Sequence, residues 1–241
     1  MSAPADQSFR PIEHLRAHEH VAEQLRRQIG LRLVGPRGTL PPERELASLF
    51  GVGRATVQRA ISLLEREGLV ERRRGRSGGT FVVAPAGVDG PLAAALDRIR
   101  AERAGIEEAL AFRATVEPAA AAEAAGVRTE EALAAAAEAC AAAADAGDDD
   151  VFMEHDSAFH LALARASANR FYVEAVERTR LALADVLVAL PDSAAWRAWS
   201  TSEHAAILAA VERGRPGAAH RAMQEHVRHT EASTRALLSS L

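Results

Sequence analysis

Four residues in the second half of the chain have the types and spacing to hold a metal ion. Phe152, Phe159 and Leu163 mark the apolar stripe of an amphipathic segment, and Asp156 falls on that stripe four residues after Phe152. His160 follows Asp156 by four, so a helix points both side chains the same way. His204 leads Ile207, Leu208 and Val211 at i+3, i+4 and i+7, and His226 follows Met223 by three; both therefore face inward too. A carboxylate buried without a partner is expensive, and so is a lone charged imidazole. One divalent cation accepts all four donors. A set of three histidines and an aspartate suits Zn²⁺ and leaves Ni²⁺, Mn²⁺ or Fe²⁺ open. The plainer alternative is four separately satisfied core or half-exposed groups. His155, His220 and His229 lie off the inward stripe and are expected to face solvent, as is the His14/His18 pair near the N-terminus.

These residues need helices to position them, and the chain beyond residue 91 supplies little else. The segments 91–103, 106–125, 129–146, 149–167, 169–190, 194–213 and 216–240 read as helices. Thr129 and Asn169 stand as caps, Gly147 at a break and Pro216 in a first turn. High alanine content supports helix and close packing. The expectation is an antiparallel all-α bundle of six or seven helices, a fold that builds metal and small-molecule sites between facing helices. Upstream, Ala84-Pro85-Ala86-Gly87-Val88-Asp89-Gly90-Pro91 reads as a linker.

The front of the chain has a different character. Two short amphipathic patterns, Glu43–Phe50 and Arg54–Glu67, flank the turn Gly51-Val52-Gly53, the form of a helix-turn-helix. Val57, Ala60, Ile61 and Leu64 form the buried stripe of the second helix, leaving Ala55, Gln58, Arg59, Ser62 and Arg66 on a cationic outer face. Side chains on such a face reach base edges from the major groove. Gly68 closes that helix. A strand at 69–71, the run RRRGRSGG and a strand at 80–83 make a two-stranded wing with cations at its tip. A further short strand is expected near Thr39-Leu40, and a helix from about Ile12 to Leu31 packs Val21, Leu25 and Ile29 onto the helix-turn-helix. The fold class is mainly α: a winged helix-turn-helix over residues 1–84 with a polar lead, a linker and connecting helix over 85–98, and the bundle over 99–241.

Charge divides the same way. Residues 1–85 carry 14 arginines against 9 acidic residues, and residues 86–241 carry 15 against 24. A basic front and an acidic back suit nucleic acid at one end only. All 29 cations are arginine, which excludes a lysine Schiff base with pyridoxal phosphate and a Walker-type phosphate-binding lysine. Cys140 is the single cysteine and permits no intramolecular disulfide. With a polar N-terminus and no apolar run of about 18 residues, neither a signal peptide nor a membrane span is expected, and the chain reads as cytoplasmic.

The stretch LPPERELASLFGVGRATVQRAISLLEREGLVERRRGRSGGTFVV resembles the DNA-binding domain of the GntR family of bacterial transcription regulators. That resemblance implies DNA contacts from Arg44, from Arg54, Ala55, Thr56 and Gln58 at the start of the recognition helix, and from Arg74 and Gly75 at the wing tip. Arg59 joins them from its place on the outer face. Pro42, Gly53 and Gln58-Arg59 depart from the family's usual residues, which leaves the operator sequence open. DSAFHLALARASANR, SEHAAILAAV and AMQEHV resemble the FCD ligand-binding domain of the FadR-like branch. That likeness implies Asp156, His160, His204 and His226 as metal ligands. It also implies that Arg113 faces an effector cavity, where it would meet a carboxylate; the alternative is an i,i+4 ion pair with Glu117.

The combined expectation is a transcription regulator, a repressor by preference. Double-stranded, palindromic operator DNA is read by a homodimer, and a small anionic metabolite binds at the metal site. The competing class is a metal-dependent hydrolase fused to a DNA-binding module. No general acid or base stands out beyond the ligands, which favours sensing over catalysis.

Overall fold

The computed structural model describes residues 17–75, 78–83, 90–190 and 193–241. The polar lead, His14 and most of the expected linker lie outside the described residues. In the front half, α1 (Ala17–Gly30) precedes α2 (Glu43–Phe50), α3 (Arg54–Arg66) and a hairpin of β1 (Val70–Arg73) and β2 (Gly79–Val82). The strands are antiparallel, with Val70 opposite Val82 and Arg73 opposite Gly79. The strand expected near Thr39-Leu40 is only a bridge from Thr39 to Phe81, with the Leu40 N–H donating to the Thr80 carbonyl at 2.8 Å. Pro41 and Pro42 follow at once, and proline has no N–H to extend a ladder.

The α3 stripe of Val57, Ala60, Ile61 and Leu64 is buried as its spacing requires. It packs on Val21, Ala22 and Leu25 of α1, Leu46 of α2, and Val70 and Val82 of the wing. Burying each larger aliphatic chain contributes roughly 1.5–3 kcal/mol. The outer face of α3 is thereby held away from the core. The turn between α2 and α3 uses two glycines differently. Gly51 caps α2 at φ +63°, whereas Gly53 stands at the start of α3 with φ −69° and ψ 150° and offers no side chain to cap it.

The back half comprises α4 (Gly90–Ala101), α5 (Arg103–Val127), α6 (Glu130–Ala144), α7 (Asp149–Ala166), α8 (Arg170–Ala182), α9 (Ala184–Ala189), α10 (Ala194–Glu212) and α11 (Pro216–Ser240). Among the described residues, seven helices follow the connecting helix α4. The segment expected as one helix over 169–190 breaks at Leu183, with φ −99° and ψ 2°. Asn169 caps α8 by accepting the Phe171 N–H, and Asp148 does the same for α7 with Val151. Thr129 takes the cap position of α6 without making the capping bond. Small residues (Ala121, Ala124, Ala136 and Ala139) let α5 and α6 approach Phe159, Leu163, Ile207, Val211 and Met223. No helix among the described residues is long and apolar enough to cross a membrane.

The two halves share a seam. Leu31, just past α1, is buried with Val116 of α5, Leu161 and Ala164 of α7, and Val176 of α8. Arg27 pairs with Glu177 of α8 at 3.2 Å and Arg32 with Asp150 of α7 at 2.6 Å.

The turn glycines give a direct test. Gly51→Ala should destabilise by about 1–2 kcal/mol, because only its left-handed backbone is at stake and nothing lies within 4 Å of a new Cβ. Gly53→Ser should stabilise by roughly 0.5–1 kcal/mol through a cap and a less flexible unfolded chain. Denaturant midpoints of the two variants should move in opposite directions.

Candidate functional site

Two sites emerge, one on the surface of the front half and one inside the back half. On α3, Arg54, Ala55 and Thr56 form the first turn and Gln58 and Arg59 the second. Ala55, Gln58, Arg59, Ser62 and Arg66 line an open groove with His18 of α1 and Arg72 of β1. Arg44 lies on exposed α2; Arg74 and Gly75 (φ +114°) are exposed at the wing tip. Two polar groups on this surface are already engaged. Gln58 donates to Glu43 at 2.8 Å, and Arg72 is tied to Glu65 at 2.6 Å and to Ser62 at 2.8 Å. Arg72 thus fastens the wing to α3, whereas Arg44, Arg54, Arg59, Arg66 and Arg74 make no ion pair among the described residues. Free guanidinium groups on a groove-sized helix suit phosphate and guanine.

The second site is buried between α7, α10 and α11. Asp156, His160, His204 and His226 are each 5% exposed or less, and one ligand atom from each lies within 4.8 Å of all the others. His204 Nε2 is 3.3 Å from Asp156 Oδ1, and His160 Nε2 is 3.8 Å from the same oxygen. The His204 ring stacks on Phe159 with centroids 4.3 Å apart. Arg180 of α8 donates to the other Asp156 oxygen and, at 2.9 Å, to Ser157. Beneath the cluster, Arg113 Nε donates to Glu117 at 2.7 Å in a pair closed off from solvent. The i,i+4 ion pair is therefore present, yet Arg113 Nη1 is left over without a partner.

Unpartnered polar atoms concentrate here. Both ring nitrogens of His160 and of His204, two nitrogens of Arg180 and the hydroxyl of Ser200 are buried with no hydrogen-bond partner. Buried polar groups are nearly always satisfied, so each orphan calls for an explanation. The donor set of one carboxylate and three imidazoles, converging from three helices, fits a single divalent cation.

Electrostatics agree with that fit. Burial alone would raise the Asp156 carboxyl, but Arg180 and the three histidines hold it below its ordinary range. Burial likewise opposes ionisation of Glu117, and Arg113 and His160 hold that carboxyl well down. Burial pushes His160 down to about 4 and His204 well below its usual value. Neutral imidazoles beside an ionised carboxylate are the forms that bind metal.

All four expected ligands come together, and Arg180 and Glu203 bond to members of the set. Arg180 follows Val176 by four on the inward stripe of α8, a signal that periodicity could have caught. Ser200 precedes His204 by four on α10. Glu203 bonds His226 at 3.0 Å and His229 at 2.8 Å; no spacing announces it, since a residue beside an inward histidine points elsewhere on the helix. His229, expected to face solvent, is half-buried on this carboxylate.

Comparison with known proteins follows the same division. The family described as bacterial regulatory proteins, gntR family, matches residues 17–82, and the FCD domain matches residues 108–229. The HTH-type transcriptional repressor NanR of Citrobacter rodentium is 30% identical over 235 residues, covering 95% of this chain and 89% of that protein. The HTH-type transcriptional regulator RmpR of Mycobacterium gastri is 44% identical over 77 residues, which is 32% of this chain and 28% of that protein. Among solved structures, McbR/YncC of E. coli aligns over 93% of this chain and 99% of that one, with a TM-score of 0.53 at 20% identity, a likeness of fold.

The buried imidazoles make the metal-free protein acid-sensitive. His160 titrates near 4 in the fold against 6.5 in the unfolded chain, so below pH 6.5 the unfolded state takes up the proton first. Its contribution is full above pH 6.5 and is lost as pH falls toward 4, about 3 kcal/mol from this residue at 1.36 kcal/mol per unit. His204 acts in the same direction. Urea midpoints of chelator-treated protein should fall steadily across this window; a flat profile would contradict the buried neutral pair.

Proposed function

We propose a function from one premise: the chain belongs to the GntR family of bacterial regulatory proteins and carries an FCD domain behind its winged helix. It is a DNA-binding transcription regulator, and its relatives are regulators rather than enzymes. Beyond that premise, our reading is a cytoplasmic, homodimeric repressor of palindromic operators, controlled by a small carboxylate sensed in the bundle. The direction of control leans on NanR, which is named a repressor and aligns along nearly the whole chain.

The observation that carries the sensing half is the set of orphaned donors around Asp156. Asp156, His160, His204 and His226 would hold a divalent cation, zinc by preference, with nickel, manganese or iron also compatible. Such an ion would supply concentrated positive charge and an open coordination position for an anionic oxygen. The spare nitrogens of Arg113 and Arg180 are the chain's own means of gripping a carboxylate beside it.

Transmission uses the helices that frame the site. Asp156 and Asp150 lie on α7, Arg180 and Glu177 on α8, and both helices also meet the winged helix at Leu31, Arg27 and Arg32. A ligand shifts the spacing of two reading heads only if it favours one arrangement of this seam over the other. An anion that draws Arg180 from Asp156 bears on α8, and so on the seam.

Four outcomes are expected. His160→Ala, His204→Ala and His226→Ala should each lower the bound metal measured in purified protein; full occupancy in all three would return the cluster to ordinary core histidines. Gln58→Ala or Arg59→Ala should cost about 1–3 kcal/mol on the cognate site and relax one base position. Arg74→Ala should instead weaken all sequences alike and reduce the salt slope by about one. In titrations of labelled operator, effector should change wild-type affinity by about 1–3 kcal/mol, while Asp156→Ala binds DNA and no longer responds. An equal response in both proteins would place the sensor elsewhere.

A further inference from the structure

A neutral imidazole carries one N–H and one lone pair. To serve as a metal ligand, a histidine must present the lone pair inward, so its far nitrogen must keep the proton. Whatever accepts that far N–H decides whether the ring is ready to bind.

His226 has such an acceptor. Its Nδ1 lies 3.0 Å from Oε2 of Glu203 on α10, and the other oxygen of the same carboxylate is 2.8 Å from His229 Nδ1. His229 in turn meets the Trp199 ring edge-on at 4.7 Å. Trp199 precedes Glu203 by one helical turn, and His229 follows His226 by three residues. Each oxygen of this α10 carboxylate thus meets a histidine of α11. An ionised carboxylate has no hydrogen to donate and can only accept. Across the cluster, His160 Nδ1 is 2.7 Å from Oε2 of Glu117 but without the alignment of a hydrogen bond, and Arg113 anchors that glutamate's other oxygen. The His204 ring is held by stacking on Phe159.

We propose that Glu203 is a positioning residue of the metal site: it accepts the Nδ1–H of His226, fixes that tautomer and leaves Nε2 as the nitrogen offered to the ion. The inference rests on the metal-site reading above and adds to it the residue that makes His226 competent. A bare salt bridge between α10 and α11 would have the same contacts but no influence on tautomer or metal affinity.

The test uses the full-length chain, zinc alone as probe, and two readouts: zinc affinity by competition with a chromophoric chelator, and imidazole tautomers from long-range ¹H–¹⁵N spectra of the chelator-treated protein. Glu203→Gln keeps the shape, but its amide can donate to Nδ1 as well as accept from it. It should still bind one zinc per chain, about 10–100-fold more weakly, and the His226 signal should lose its pure Nδ1–H pattern. Glu203→Asp, which keeps the charge on a shorter stem, should fall between Glu203→Gln and wild type. His229→Ala removes one bond to the carboxylate but leaves the His226 acceptor in place; it should keep the His226 Nδ1–H pattern and bind zinc more tightly than Glu203→Gln, and Glu203→Asp carries the test where Glu203→Gln melts early. Wild-type affinity with an unchanged His226 tautomer in Glu203→Gln would overturn the proposal. Wild-type affinity in His226→Ala, or no zinc in the wild type, would instead overturn the metal-site reading on which it rests.

Discussion

A carboxylate removed from water has to meet positive charge, and Asp156 is where this fold accepts that constraint. It sits on α7 inside the bundle, with Arg180 on one oxygen and His204 and His160 around the other. A second buried acid, Glu117, is answered by Arg113 and touches His160. The interior thus contains two carboxylates, two guanidiniums and three imidazoles within a small volume. Deleting one member strands its partners, which costs far more than the interaction itself contributes. This interdependence fixes the relative positions of α5, α7, α8, α10 and α11 more narrowly than their alanine-rich apolar contacts would.

The same helices also reach the winged helix. α7 and α8 have one face on the charged interior and another on the winged helix, where Leu31 enters the bundle core. Arg180 and Glu177 are three residues apart on α8, so one helix carries both the bond to Asp156 and the surface ion pair with Arg27. Coupling through a shared rigid element needs no chain of intermediates.

Much of this was legible in the sequence. Val57, Ala60, Ile61 and Leu64 declared the buried side of the recognition helix because a stripe of large apolar residues has no other use. Asp156 and His160 declared themselves by their spacing on an apolar stripe, and His204 and His226 by what followed or preceded them. Less visible were interactions set by tertiary approach. Glu203 is 23 residues from His226, and Glu43 is 15 residues from Gln58. No periodicity links either pair. Arg180 was open to the same reading, four residues after Val176 on the inward stripe of α8; what the sequence did hide was the break after Ala182, before a new helix starts at Ala184. Thr129 shows the limit of residue-type rules: it occupies a cap position, but its hydroxyl is buried without a partner.

The seam at Leu31 also determines where the chain can be divided. In sequence Leu31 belongs with the DNA-reading half, but its side chain completes the core of the other half beside Val116, Leu161, Ala164 and Val176. A chimaera built by joining this reading head to a foreign effector domain between the two family matches would carry Leu31 and Leu33 onto a surface not shaped for them. A workable exchange has to transfer the facing residues of α5, α7 and α8 together with the head. The contact thus makes the reading head and its bundle one packing unit at Leu31, whatever the boundary drawn in sequence.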